Sequence, residues 1–253
     1  MNERFRAAAL LRLSIASLLV IAAGCATTAY GPPPAFTAIL SAPDRLESDR
    51  AIDARRKSPQ MYGYTGVRAG MKVLDIGAGG GYTTELMKRI VGPTGTVYSH
   101  DAPDQMQRIK DTFAARAKRD AMKGVVRLER PYDDPVPAEV KDLDVVTFFF
   151  SYHDMVHMNV DRAKMNRRIY DALKPGGVYV VADHSARPGD GAGVTKTVHR
   201  IEEAFVRREV EAAGFRFEGE GGFLRNPDDP RTESVFKPKV PNDEFVLKFR
   251  KPG

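Results

Sequence analysis

Residues 71–82, Met-Lys-Val-Leu-Asp-Ile-Gly-Ala-Gly-Gly-Gly-Tyr, decide how this chain folds. Val73, Leu74 and Ile76 form a short apolar run of the kind that makes a buried strand, with Asp75 near its carboxyl end. Gly77, Gly79 and Gly81 follow at alternate positions, and Tyr82-Thr-Thr-Glu-Leu-Met opens a helical pattern. A strand, a glycine turn and a helix start make the nucleotide-binding corner of a parallel α/β sheet, because glycine lets the backbone turn sharply and approach a ligand closely.

The flanking sequence continues the alternation of strand and helix. Residues 82–91 read as a helix ended by Gly92-Pro93, and residues 95–99 as a second strand followed by His100 and Asp101. Met106, Ile109, Phe113 and Ala117 share one helical face within residues 103–122, and residues 124–128 form a third short strand. The almost continuous apolar run 143–150 suits a central parallel strand buried on both faces, so Phe148, Phe149 and Phe150 read as core. A helix is expected over 154–173, broken by Lys174-Pro-Gly-Gly, and a fifth strand over 178–182. A helix over 197–213 stopped by Gly214 and a strand pair over 215–218 and 244–249 close the chain.

Dinucleotide sites place a small residue at the last position of G-x-G-x-x-G/A, for helix–strand packing. Here that position is the large Tyr82, which disfavours a nicotinamide cofactor. The spacing Asp75-x-Gly77-x-Gly79-x-Gly81 instead resembles the first motif of class I S-adenosylmethionine (SAM)-dependent methyltransferases. Asp101 after the second strand, Gly92-Pro-Thr-Gly and Lys174-Pro-Gly-Gly agree with that family in the same order. The resemblance spans residues 46–253 and looks like an exported bacterial branch of predicted methyltransferases. It implies an α/β fold with a doubly wound, seven-stranded, mostly parallel, Rossmann-like sheet whose C-terminal strand runs antiparallel between the fifth and sixth. It also implies SAM as cofactor. Asp75 would lie by the methionine end, Gly77, Ala78, Gly79, Gly81 and Tyr82 would form the turn, and Asp101 would accept the ribose hydroxyls. Asp133 would approach the adenine, and Phe149 at the fourth strand's end would be a further contact. Arg55 and Arg56, with Tyr62 and Tyr64, stand just before the first strand, where family members place a lid over the cofactor carboxylate; Arg56 would either pair with that carboxylate or serve as solvated surface. Two departures are visible. Glu129-Arg-Pro-Tyr-Asp-Asp replaces the usual Gly-Asp-Ala after the third strand. Phe150-Ser-Tyr-His-Asp after the fourth replaces the Asn/Asp-Pro-Pro-Tyr of nucleic-acid amino methylation and argues against that chemistry.

In an open α/β sheet, ligands bind outside the carboxyl ends of the strands. The five histidines sort to that side: His100 after the second strand, His153 and His157 after the fourth, His184 after the fifth, and His199 at the start of the next helix. A protic methyl acceptor must lose a proton, and histidine suits that task near neutral pH. His153 is the first candidate base, His184 the second, and Tyr152 a substrate contact. His153-Asp154-x-x-His157 also invites a metal reading, with Asp154 or Asp183 adding an oxygen. A helix beginning at Asp154, capped by its side chain, would however leave His153 off the helical face, so no metal is expected.

The charge balance is 39 Lys and Arg against 33 Asp and Glu, a net +6, and the two signs are interleaved. Interleaving reads as solvated surface, and nucleic acid is not an expected partner. Residues 1–25 have a basic start, an apolar core over 13–23 that is short for a bilayer, and Gly24-Cys25, which resembles a bacterial lipoprotein box. The expectation is an exported, periplasmic protein anchored to the membrane through lipidated Cys25, followed by a Pro-rich tether over 26–45 and one domain over 46–253. Cys25 is the only cysteine, so the domain has neither a disulfide nor a thiol nucleophile. Two functions remain. One is a methyltransferase acting on a small molecule or an envelope acceptor, and the other a periplasmic module that binds SAM or a nucleoside without methyl transfer.

Overall fold

All seven strands expected from the apolar runs form, and they sit in one sheet. The computed structural model describes residues 34–253, with side chains from residue 36. The signal segment 1–25, Cys25 and the first part of the tether lie outside the described residues. In chain order the elements are α1 (Pro34–Leu40), α2 (Glu47–Arg55), α3 (Ser58–Thr65), β1 (Lys72–Ile76), α4 (Tyr82–Val91), β2 (Thr96–Asp101), α5 (Pro103–Ala117), β3 (Val126–Glu129) and β4 (Leu143–Phe149). There follow α6 (Asp154–His157), α7 (Arg162–Ala172), β5 (Leu173–His184), α8 (Thr195–Val198), α9 (Glu203–Ala212), β6 (Arg216–Glu220) and β7 (Glu244–Arg250).

The strand order is β3-β2-β1-β4-β5-β7-β6. Pairing is parallel from β3 through β5, and β7 runs antiparallel between β5 and β6. The order reverses between β1 and β4, so the chain leaves these neighbours toward opposite faces and opens a crevice at their carboxyl ends. Both faces are covered. Leu74, Ile76, Val146, Phe148, Val181 and Leu247 pack on the side of α7 and α9. Val73, Val145, Val180 and Val246 pack against α3 and α4 on the other. The one-residue alternation is the strand period expressed as two cores.

Three expectations change. The helix expected over 154–173 is two, because Asn159 takes a left-handed φ of 55° and Asp161 caps a new start by accepting from Lys164 N. The helix expected over 197–213 is broken at His199, with φ 56°, and Ile201 bridges to Ser185 before α9 begins. The domain also starts earlier than residue 46. Phe36, only 4% exposed, stacks on Tyr62 at 5.6 Å, so residues assigned to the tether belong to the packed unit. Among the described residues no helix is long and apolar enough to cross a membrane.

The N-terminal helices are fastened over the glycine corner by buried ions. Arg116 of α5 forms a bidentate pair with Asp49 of α2, both bonds 2.8 Å, and reaches Glu85 of α4 at 2.7 Å. Its Nε donates to Gly80 O in the glycine turn at 2.8 Å. Arg116, Asp49 and Glu85 are all buried. Removing one partner of a buried pair leaves the others charged and unsatisfied, at a cost of about 3–5 kcal/mol. Arg116→Ala is therefore expected to lower the thermal midpoint by about 10 °C, and a melt within about 2 °C of the parent would show that this network is not structural.

Candidate active site

The corner at β1 works as its glycines require. Gly79, with φ 56°, leaves nothing within 4 Å of where a Cβ would stand, so its surface is open to a ligand. Gly77, with φ 64°, is the opposite case, since a Cβ there would meet the Phe148 ring at 3.0 Å. The turn is held to β2 by Ala78 N donating to His100 O and by Gly79 N donating to the Asp101 carboxylate at 3.2 Å.

Two carboxyls flank the turn. Asp75, 2% exposed, accepts from Thr84 Oγ1 at 2.6 Å and from Thr147 Oγ1 at 3.2 Å. Burial, helped by the Asp101 charge, pushes Asp75 up to about 7 against the Thr84 bond. Asp101 is also raised by burial, to about 6, although Arg127 donates to it at 2.7 Å. His100 behind them is buried, donates Nε2–H to Arg130 O at 2.9 Å, and is lowered by burial to about 4, so it is neutral.

Above the corner, Tyr82 shows why a large residue replaces the small one. Its hydroxyl lies 2.7 Å from Ser58 Oγ and donates to Asp53, joining the helix start to α2 and α3. Arg56 lies over the Tyr82 and Phe150 rings, its Cζ 5.4 and 4.6 Å from their centroids. The only hydrogen bond of its guanidinium among the described residues is a long one of 3.4 Å to Thr83, and its Nε is buried without a partner. A guanidinium that makes no ion pair among the described residues, next to an open glycine turn, is a ready carboxylate site.

The acceptor side lies at the ends of β4 and β5. Phe150 takes a left-handed φ of 60°, which swings the chain off β4 so that His153 meets the end of β5. Buried Asp183 accepts from His153 N at 2.8 Å, His153 Nδ1 at 2.7 Å and His184 N at 2.8 Å. Burial opposes the charge on His153, but Asp183, with Asp154, outweighs it and lifts the imidazole to about 10. Both its ring nitrogens thus face carboxylates. His184 borders a cavity of about 790 Å³ with Arg55, Lys57, Arg225, Phe236 and Glu244 among its lining. Glu244 Oε1 lies 3.0 Å from His184 Nδ1, close but off the line of a good hydrogen bond. Arg200, 1% exposed, holds the cavity's outer loop through Asp229, Glu233 O and Asn242.

The structure therefore brings together Asp75, Gly77, Ala78, Gly79, Gly81, Tyr82 and Asp101 at one corner, and His153 and His184 at the adjoining strand ends. Others fall elsewhere. Tyr152, expected to touch substrate, is wholly buried, its hydroxyl donating to Glu209 and accepting from Asn166, each at 2.8 Å. A phenol with both bonds filled in the core is a staple between α7 and α9. Asp133 is held by Lys164 of α7 at 2.8 Å, and Phe149 is part of the α3–α4 core. Glu244 was missed, and Asp183 was read only as an oxygen donor to a metal, not as the support of His153 and His184. Asp183-His184 directly ends the apolar run 178–182, which was the available signal.

A family profile described as protein-L-isoaspartate(D-aspartate) O-methyltransferase (PCMT) matches residues 33–187, more than half of the chain. The chain belongs to this family. The ubiquinone/menaquinone biosynthesis C-methyltransferase UbiE of Burkholderia multivorans is 36% identical over 122 residues, 47% of this chain and 45% of that protein. The chain thus spans about half the length of the curated relatives it matches. A SAM-dependent methyltransferase from Aquifex aeolicus superposes with a TM-score of 0.58 at 18% identity, covering 81% of this chain and 94% of that one. The (4+2) cyclase SpnF superposes at 0.57 with 16% identity over 79% and 81%. These structures show the fold, that of a class I methyltransferase, and the family's cofactor is SAM.

The residues present fit that cofactor. The open turn at Gly79, the carboxylate of Asp101 and the unpaired Arg56 match a nucleoside carrying an amino acid, and Arg56 would hold its carboxylate. Arg56→Ala should weaken binding of SAM or S-adenosylhomocysteine by about 10–100-fold, the worth of one charge-assisted contact, with little change in melting. Unchanged affinity by calorimetry would remove Arg56 from the site. Asp75 gives a pH signature. Folded, it keeps its proton to about pH 7, whereas its ordinary value is 3.8, so the folded state holds the extra proton between them. Stability from this group therefore falls as pH rises through that window. Asp75→Asn should gain thermal midpoint relative to the parent from pH 4 to 7 and stay level above, and a pH-independent difference would contradict the assignment.

Proposed function

We propose that the protein transfers the methyl group of SAM to a small, protic acceptor carrying an anionic group, bound in the cavity at the ends of β5 and β7. The observation that carries this reading is the His184–Glu244 pair in the wall of that cavity, at the ligand end of the sheet. SAM supplies an electrophilic methyl group on a sulfonium. The protein's own task is alignment and proton removal, and alignment alone supplies about 7–11 kcal/mol in well-oriented systems. Arg55 is paired with Glu244, and Arg225 with Glu203, Glu220 and Asp243, so Lys57 is the lining cation left to meet an anionic group on the acceptor. His184 takes the acceptor's proton, and Glu244 stabilises the resulting imidazolium, a base held by a third group. His153, already flanked by Asp183 and Asp154, is the poorer base because a group protonated to about pH 10 has no free lone pair at neutral pH.

The family description favours a second acceptor, a carboxylate, which is already anionic and needs no base. One variant separates the two. With a hydroxyl acceptor, His184→Ala should lose about 10²–10⁴-fold in turnover while keeping SAM affinity. With a carboxylate acceptor the loss stays below about tenfold. The assay is transfer of labelled methyl from SAM to a panel of anionic hydroxy and carboxylic compounds. SAM binding with no transfer to any of them would support the non-catalytic binding module instead.

A further inference from the structure

The sequence pattern suggested that Asp154 spends its carboxylate capping α6, and the geometry is different. His153 is the cap residue with already helical backbone (φ −59°, ψ −33°), and no side chain caps the helix. The Asp154 carboxylate turns instead toward three imidazoles. Its Oδ1 lies 3.2 Å from His153 Nε2, 3.5 Å from His157 Nε2 and 3.7 Å from His199 Nδ1. The His199 ring meets those of His153 and His157 nearly edge to face, at 5.5 Å and 88° and at 5.9 Å and 85°. The three rings therefore converge on the carboxylate rather than stack on one another.

Two further observations point to a ligand. His199 is delivered by a left-handed backbone that ends α8 after one turn, a conformation an L-residue keeps only where its surroundings impose it. Asp183 accepts from His153 Nδ1–H, so Nε2 is the nitrogen that faces the cluster, and an ion bound there would take the place of its proton. A carboxylate behind a histidine is the usual outer support of a metal ligand. The donor atoms of His153, Asp154 and His199 already lie within 4.8 Å of one another.

We propose that His153, His157, His199 and Asp154 form a binding site for a divalent transition-metal ion, with Zn²⁺ the best-matched ion. Three imidazoles and one carboxylate make a nitrogen-rich set that suits zinc and its neighbours, whereas Mg²⁺ and Ca²⁺ select oxygen. Asp154, His157 and His199 are each about a quarter to a third exposed, which leaves a path for the ion. The cluster shares a wall with the acceptor cavity. His153 lies 5.8 Å from His184 and His199 lies 4.6 Å from Phe236, ring to ring, and both partners line that cavity. An ion here stands beside the acceptor, where a fifth position would take its oxygen or sulfur and favour the deprotonated form. The site goes beyond the methyl-transfer reading and does not depend on it, since metal uptake is measured without SAM or acceptor.

The test is titration of the EDTA-stripped full chain with Co²⁺ as a spectroscopic probe, followed by Zn²⁺. One Co²⁺ per chain should bind with visible ligand-field absorption, be displaced by one equivalent of Zn²⁺, and resist an excess of Mg²⁺. His157→Ala and His199→Ala, both at partly exposed positions, should each weaken binding at least about tenfold with unchanged circular dichroism, and Asp183→Asn by about 10–100-fold. If the parent chain takes up Co²⁺ no more tightly than the His157→Ala/His199→Ala double variant, the cluster is a hydrogen-bonded ion pair only and the proposal fails.

Discussion

Asp183 carries a charge into the end of β5 with no exposure to water, and the ligand end of the sheet is organised around it. An isolated carboxylate there would cost several kcal/mol, and it persists because three donors fill its lone pairs. Two of them are backbone and ring groups of His153, so the left-handed exit of β4 at Phe150 is pinned to β5. The third is the His184 amide, which holds the last residue of β5 at the cavity wall. One buried anion thus sets the orientation of the His153 ring, and through it the place of the Asp154 carboxylate and its ring of imidazoles.

The cofactor side depends on a different device. A dinucleotide corner needs a small residue where α4 packs on β1, and here Tyr82 takes that position and uses its hydroxyl to fasten α2 and α3 above the turn. Arg116 completes the fastening from α5. The helices that precede β1 are therefore part of the site. They carry Arg56 over the open turn and Arg55 and Lys57 into the acceptor cavity, so the cofactor corner and the cavity share one roof.

Strand and helix periods made the sheet legible, since an apolar run buried on both faces has few alternatives to a central parallel strand. α4 was legible to its bounds because a glycine precedes it and Gly92-Pro93 ends it. Less legible were the broken helices. Asn159 and His199 adopt left-handed backbone, and nothing in their local sequence demands it. Tertiary contacts with Asp154 and β5 hold His199 in place, whereas Asn159 closes α6 locally, its N–H donating to Val156 O. Tyr152 was misjudged for a related reason: adjacency to His153 in the chain does not set the side to which a ring turns, and the Asn166 and Glu209 partners lie on helices far along the chain.

The sequence by itself determined the corner: Asp75, the three glycines, Asp101 and their order imply a class I methyltransferase sheet, because turn geometry and strand burial are local properties. Only the tertiary structure decided what the carboxyl ends of β4 and β5 and the amino end of β7 hold. His153, His199, Asp183 and Glu244 come from four separate segments, and their charges have meaning only once burial removes the water between them.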